Sequence, residues 1–247
     1  MYDYLRRKKK TMTVAVLAVM GCYPSIFLPY AILARQFTRK PKGQVITKDT
    51  DIVIEGFPRS ANSFSVKAFK DSQSENVVVA HHLHAPAQVI EAAKRGIPAY
   101  VLIRSPYDAI ASRTIFAERA DLAQIMKNYW IFYSKLLPLA DSFVIGLFEN
   151  IIQDFGVEIR KINQRFGTTF AEFNHTQENV DKCMAGIEEF SELEHGVKRE
   201  RRIPRPSDWR VQEKKRLNDI YFSDKLSGLR KQVENIYEDY LQIAKQN

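Results

Sequence analysis
Asp51-Ile-Val-Ile-Glu-Gly-Phe-Pro58-Arg59-Ser60-Ala61-Asn62-Ser63-Phe64-Ser65-Val66-Lys67 changes character twice along its length. Ile52, Val53 and Ile54 form a short apolar run that reads as a buried strand. Gly56 and Pro58 break it, small polar residues follow, and the apolar and basic end of the stretch can be helical. Strand, tight loop and helix start in that order make an anion site. The free N–H groups of the first helical turn and the positive end of the helix dipole both point at the loop. Arg59 adds a cation whose planar fork suits phosphate or sulfate. Ser60, Asn62 and Ser63 add donors. The same residues also suit an ordinary strand–turn–helix connection with one exposed arginine. They do not make a Walker A loop, which requires G-x-x-x-x-G-K-[ST].

Working outward, apolar runs alternate with helical patterns. Val77–Ala80, Ala99–Ile103 and Ser142–Leu147 read as strands; Pro86–Arg95, Pro106–Arg119, Asp121–Leu139 and residues 154–166 read as helices. Gly96 closes the first helix, and Ser105, Pro106 and Asp108 stand at N-cap, N1 and N3 of the second. The alternation predicts an α/β fold: a parallel sheet with helices on both faces. Past residue 175 the chain turns helical. Val180, Cys183, Met184 and Ile187 form one apolar stripe; Leu226, Leu229, Val233, Ile236, Tyr237 and Tyr240 form another, and both should face the core.

The 247 residues allow one domain, or one domain plus an appendage. The net charge of +8 favours anionic partners. Cys22 and Cys183 make neither a disulfide framework nor a metal spacing, so no metal is expected. Residues 6–10 are Arg-Arg-Lys-Lys-Lys, and residues 11–34 carry no charge. That run exceeds the ~18–20 residues that cross a bilayer. A single-pass membrane helix is the first reading. The competing one is a hydrophobic arm lying on the membrane or packed on the domain, since Gly21, Pro24 and Pro29 interrupt the run. The chain thus divides into a basic and hydrophobic membrane-associating segment, 1–43, and a globular part, 44–247.

Three further stretches carry candidate chemistry. Ala80-His81-His82-Leu83-His84-Ala85-Pro86 sits at the end of the second strand, where open α/β sheets bind ligands. Two same-face histidines without a nearby carboxylate or cysteine suit a general base better than a metal, and histidines satisfied by backbone remain a competing reading. At the end of the third strand, Arg104 and Ser112 stand eight residues apart, around a helix start. Late in the chain, Arg199-Glu-Arg-Arg202-Ile-Pro204-Arg205-Pro206-Ser207-Asp208-Trp209-Arg210 is a basic cluster with two prolines.

Pro58-Arg59-Ser60-Ala61-Asn62-Ser63-Phe64 resembles the 5′-phosphosulfate loop of the sulfotransferases, usually Pro-Lys/Arg-Ser-Gly-Thr/Asn-Thr/Ser-aromatic, with Ala61 in place of the glycine and Phe64 as the aromatic. Arg104 and Ser112 match the family's 3′-phosphate segment, Arg-Asn/Asp-Pro-x-Asp-x-x-x-Ser. Val144–Asn150 is similar to a strand whose aromatic, here Phe148, contributes to the adenine side of the pocket. Arg202, Asp208, Trp209 and Arg210 fit a late segment that closes over the 3′-phosphate. Pro204 and Ser207 stand there where glycines should, so the side chains of Arg201, Arg202 and Arg205 would carry more of the binding. The histidine segment matches the family's catalytic base in two registers: His82 aligns without a slip and is preferred, while His84 has the His-x-Pro spacing. The resemblance covers about residues 51–210. It implies a P-loop-like three-layer fold and transfer of a sulfuryl group from 3′-phosphoadenosine 5′-phosphosulfate to a hydroxyl or amine, without a metal. The acceptor would be a carbohydrate, lipid or small molecule; no nucleic-acid partner is expected. A P-loop-like phosphotransferase, which would need Mg²⁺ and a loop lysine, and a non-catalytic membrane-anchored anion-binding module are the alternatives.

Overall fold
The computed structural model describes residues 12–37, 44–117, 121–195 and 207–246. Four strands form one parallel sheet: β1 (Ile52–Gly56), β2 (Val79–His81), β3 (Ala99–Ile103) and β4 (Val144–Leu147), in the order β2-β1-β3-β4. β1 and β3 occupy the middle, and every residue of both is buried. A strand covered on both faces has no polar side to present, which is why these runs do not alternate in polarity.

Side-chain alternation along the strands sorts the core into two layers. Ile52, Ile54, Tyr100 and Leu102 point to one face, packed against α3 (Asn62–Ser72), α8 (Phe155–Phe166) and α9 (Gln177–His195). Val53, Val101, Ile103 and Ile145 point to the other. There α4 (Pro86–Arg95), α5 (Pro106–Phe116), α6 (Leu122–Leu136) and α11 (Ser227–Gln246) cover them, with α10 (Asp208–Tyr221) lying on α5. A short α7 (Phe148–Gln153) follows β4. The sequence-level α/β reading therefore holds, and the two late apolar stripes do face the core: Cys183, Val233, Ile236 and Tyr240 are buried.

Local signals account for the boundaries. Asp121 caps α6, accepting from the Ala123 N–H at 2.9 Å, and Asp154 caps α8, accepting from Gly156 at 2.9 Å. At the start of α5 the expected serine cap takes a different form. The Ser105 hydroxyl donates to Asp108 at 3.0 Å instead of accepting from the helix backbone. β2 starts two residues later than the apolar run suggests, because its register is set by Ile52 pairing with Val79.

The amino-terminal segment corrects an expectation. The charge-free run is not one helix: α1 (residues 12–20) ends at a turn over Gly21 and Cys22, and α2 (Pro24–Gln36) restarts with proline in its first turn. Proline has no N–H to continue the ladder of α1 and fits the first turn of a new helix. Among the described residues no helix is long and apolar enough to cross a membrane. The arm instead packs on the domain. Phe27, Leu28 and Ala31 join the core that covers β1 and β3, and the Ala87 N–H donates to the Gly21 carbonyl at 2.8 Å.

The strand order has one consequence for ligands. The chain leaves β1 through α3 toward β2, then returns across the sheet through α4 to β3. The connections after β1 and β3 therefore diverge, opening a crevice at the carboxyl ends of these adjacent strands. Open α/β sheets bind ligands at such a switch point.

Candidate functional site
The loop after β1 and the loop after β3 both end in that crevice. Gly56, the last residue of β1, must be a glycine: a Cβ there would lie 2.5 Å from the Leu102 carbonyl oxygen on β3. The close approach lets the two loops start side by side. Two tyrosines of α6 then pin them. Tyr133 accepts from the Phe57 N–H at 3.3 Å and donates to the Leu102 carbonyl at 2.7 Å. One turn earlier Tyr129 donates to the Arg104 carbonyl at 2.8 Å.

Between Phe57 and α3 the backbone coils tightly, with Arg59 and Ala61 both left-handed at φ 77° and 68°. The amide of Asn62 reaches back to the Phe57 carbonyl at 2.9 Å and closes the turn. Ala61 is the N-cap of α3, with no side-chain cap bond. The first intrahelical donor is Ser65, to the Ala61 carbonyl. The N–H groups of Asn62, Ser63 and Phe64 therefore have no acceptor within the helix. Ser60 and Asn62 are buried and Ser63 is exposed. The Phe64 ring turns away and packs edge-on against Phe155, Phe173 and His175, leaving only its backbone to the loop.

Four guanidinium groups converge beside this turn. Arg59 Nε donates to Ser112 Oγ at 3.1 Å, and Arg210 Nη2 donates to the same oxygen at 3.2 Å. Arg104 Nη1 donates to the Arg59 carbonyl at 3.2 Å. Arg59 and Arg113 both approach the ring of Phe116 to 5.4 Å. Arg104 lies 3.9 Å over the ring of Phe148, which packs it in place. Burial, followed by Arg210, Arg104 and Arg113, pulls the Arg59 pKa down to about 10. All four influences disfavour its charge. A buried cation surrounded by like charges lacks the counter-charge it requires, and this arrangement suits a polyvalent anion.

The histidines approach from the neighbouring strand. After β2 the chain kinks through left-handed His82 and His84, φ 59° and 51°. Glu55, fully buried on β1, holds this kink. Its carboxyl accepts from the N–H groups of Leu83 at 2.7 Å and His84 at 3.0 Å, and from the Gln88 amide at 2.9 Å. Burial pushes its pKa up to about 8, against the pull of those donors.

Hydrogen-bond partners assign the tautomers. The Lys70 ammonium has only donors and faces His81 Nε2 at 3.3 Å, so His81 carries its proton on Nδ1. That proton faces His82 Nδ1 at 2.8 Å, which leaves the His82 proton on Nε2, directed at Ser63 Oγ at 3.1 Å. His84 differs. Its Nδ1 lies 2.9 Å from the Gly56 carbonyl and must donate, so Nε2 keeps its lone pair. Burial, His82 and the arginines hold the His84 pKa down to about 3, so this nitrogen stays unprotonated at neutral pH. Among the described residues no group of three His, Cys, Asp or Glu side chains is placed to hold a metal ion.

The structure thus brings Arg59, Ser60, Asn62, Ser63, Arg104, Ser112 and Phe148 to one crevice, with His82 and His84 at its rim. Arg201, Arg202 and Arg205 lie outside the described residues. Two contributors, Arg113 and Glu55, escaped the sequence reading. Arg113 follows Ser112 directly, while Arg210 belongs to the segment matched to closure over the 3′-phosphate, where the expected contacts are Arg201, Arg202 and Arg205. Glu55 is a carboxylate inside an apolar strand, which is itself a signal that partners must exist.

No protein-family model and no curated protein matches this chain. Among solved structures, the mouse sulfotransferase SULT7A1 complexed with PAP is similar at 11% identity and a TM-score of 0.41. The match covers 76% of this chain and 90% of that one.

Proposed function
We propose that this chain is a sulfotransferase that moves a sulfuryl group from 3′-phosphoadenosine 5′-phosphosulfate to a hydroxyl or amine. The observation that carries the reading is the meeting of Arg59 with Ser112 at 3.1 Å. The phosphosulfate-loop motif and the 3′-phosphate motif, read separately in sequence, form one cationic crevice. The residues fit such a donor: four guanidiniums, a helix start with undonated N–H groups, and an aromatic ring at Phe148.

The donor supplies an activated sulfuryl group whose bridging oxygen gains charge as the bond to sulfur breaks. Arg59 and the N–H groups of Asn62, Ser63 and Phe64 stabilise that charge, in a site where the donors need no reorganisation. Arg104, Ser112, Arg113 and Arg210 hold the second phosphate and fix the donor's direction. Phe148 lines the adenine side. His84 Nε2 is the better placed base, because its lone pair is free and its other nitrogen is anchored on the Gly56 carbonyl. It takes the acceptor's proton as the new oxygen–sulfur or nitrogen–sulfur bond forms. His82, whose Nε2 proton points to Ser63, orders the loop beside it.

Two measurements test the reading. Adenosine 3′,5′-bisphosphate should bind in the absence of Mg²⁺, and a labelled-donor assay should transfer label to a hydroxyl-bearing acceptor. Arg59→Ala should lower turnover by about 10²–10³-fold, the usual effect of removing a donor to a developing anion. Mg²⁺-dependent binding of a nucleoside triphosphate, with no binding of the bisphosphate, would favour the phosphotransferase instead.

A further inference from the structure
We infer that α1 and α2 form a docking face for a bilayer carrying anionic headgroups, lying in the plane of the interface and not crossing it. Two independent observations meet here. The first is the split of the arm into two faces. Cys22, Phe27, Leu28 and Ala31 are buried against the domain. Val16, Val19, Ile26, Ile32, Leu33 and Phe37 are between 49% and 82% exposed. These six belong to a stretch of only 22 residues, and large exposed apolar patches mark interaction surfaces. Trp130 on α6, beside the arm, extends the same apolar surface and is 39% exposed.

The second observation is where the chain keeps its charge. Residues 4–48 contain ten of the 37 Lys and Arg residues and none of the 29 Asp and Glu residues. The rest of the chain holds 27 basic residues against 29 acidic ones, so the whole positive excess belongs to this arm. In sequence these cations bracket the charge-free run on both sides. An apolar stretch flanked by Lys and Arg matches the layered chemistry of a membrane surface, with acyl chains beneath anionic headgroups. The charge also argues against a second copy as occupant, since two such arms would set ten cations against ten. A spanning helix is not compatible with this arrangement. The break at Gly21–Tyr23 interrupts the ladder, and the inward side of α2 belongs to the core of the domain.

The arm also joins the histidine loop. The Gly21 carbonyl accepts from Ala87, and Ala85 packs against Gly21, directly after His84. Docking would therefore hold the rim of the crevice close to the headgroup layer. This inference does not require the sulfotransferase reading.

Flotation of the purified full-length protein with vesicles tests it. The vesicles are phosphatidylcholine alone, or phosphatidylcholine with about a third phosphatidylserine. Binding is expected to be at least ten-fold tighter to the anionic vesicles and to weaken as salt rises. Val19→Glu/Ile26→Glu/Leu33→Glu, all on the exposed side, should lose at least ten-fold in binding while keeping the thermal midpoint and the bisphosphate affinity. Equal binding of the triple variant would overturn the inference, as would indifference to phosphatidylserine. So would wild-type protein that cannot be stripped from vesicles by alkaline carbonate, which would indicate a span. A stable dimer dissolved by the triple substitution, without vesicle binding, would assign the face to a second copy and overturn it too. A bisphosphate that fails to bind leaves these outcomes unaffected and counts only against the proposed enzyme.

Discussion

Arg59 and Ser112 are 53 residues apart in sequence, and the guanidinium of one donates to the hydroxyl of the other at 3.1 Å. Arg210 shares that hydroxyl from a third part of the chain. One neutral oxygen thus receives two cations, with Arg104 and Arg113 close by. A neutral acceptor cannot compensate for the charge of Arg59, which its three neighbouring guanidiniums further disfavour, while Asp108 and Glu149 partly offset Arg104. The same crowding that depresses the Arg59 pKa should make the protein respond strongly to anions. Sulfate at millimolar concentration should raise the thermal midpoint more than chloride at equal ionic strength. Adenosine 3′,5′-bisphosphate at a hundred times its Kd should add about 2.7 kcal/mol of stability. Arg210→Met should remove most of the sulfate response and weaken the bisphosphate at least ten-fold. Thermal shift and calorimetry read both effects.

Ala61 holds a left-handed backbone conformation, φ 68°, at the N-cap of α3. A Cβ in that region costs roughly 1–2 kcal/mol, and glycine avoids it at some loss of chain entropy. Ala61→Gly should therefore be neutral or stabilising, by roughly 0.5 kcal/mol. Glycine in a helix interior would have the opposite sign, by about 1 kcal/mol. The urea midpoint measures it, and clear destabilisation would show that the left-handed turn is not the conformation in solution.

Tyr133 joins the two halves of the crevice through one hydroxyl, to Phe57 and to Leu102. Tyr133→Phe leaves a buried N–H and a buried carbonyl each without this partner. The expected loss is about 1–3 kcal/mol in chemical unfolding. Because the loop position shifts with it, bisphosphate affinity should fall as well. Tyr240→Phe is the comparison: its hydroxyl reaches only the Tyr133 carbonyl, so it should lose stability with little effect on affinity.

Burial holds His81 and His84 near a pKa of about 3, well below the ordinary histidine value. Both are lowered, so the unfolded chain takes up protons near pH 6.5 that the folded chain refuses. Stability therefore falls as pH drops through 6.5 toward 3, by on the order of 1–2 kcal/mol per histidine at pH 5. Glu55 acts with the opposite sign. Its raised pKa makes its contribution fullest below its unfolded value and lost as pH rises toward 8. Replacing His81 and His84 with glutamine should flatten the acid side of the stability curve and leave the decline toward pH 8 due to Glu55. In the wild type the transfer rate should show no acid limb near pH 6.5, since His84 is already neutral there.

The sheet was legible because its signals are local. Apolar runs ended by Gly56, Pro58, Gly96 and Pro106 mark strands and turns without knowledge of the rest of the chain. The pairing of Arg59 with Arg104 and Ser112 was legible through motif resemblance, which carries three-dimensional proximity that spacing alone does not. Arg113 was not, because an arginine's role depends on which other cations the fold brings beside it, and Arg210 was legible only as part of the closing segment, not as a partner of Ser112. The packed arm was only the competing reading of its run, behind a single span, for a related reason. Hydropathy counts apolar residues but does not record that Phe27, Leu28 and Ala31 are spent on the domain core.

Glu55 offers the sharpest separation of positioning from chemistry. It touches no part of the cationic crevice, yet its two oxygens receive the N–H groups that set the left-handed kink at His84. Glu55→Gln keeps the size and one acceptor oxygen, but its NH₂ then faces either the Leu83 and Gln88 donors or the His84 N–H. Where Glu55 is ionised, above about pH 8, a buried donor set against a donor costs about 1–3 kcal/mol, and the kink should relax. If His84 is the base, kcat should drop ten-fold or more while bisphosphate affinity, set by Arg59 in the loop after β1, Arg104 after β3, Arg113 on α5 and Arg210 on α10, stays within two-fold. A purely structural role would lower both together, in proportion to the fraction unfolded. Measuring turnover and affinity at a temperature well below the variant's unfolding midpoint distinguishes the two.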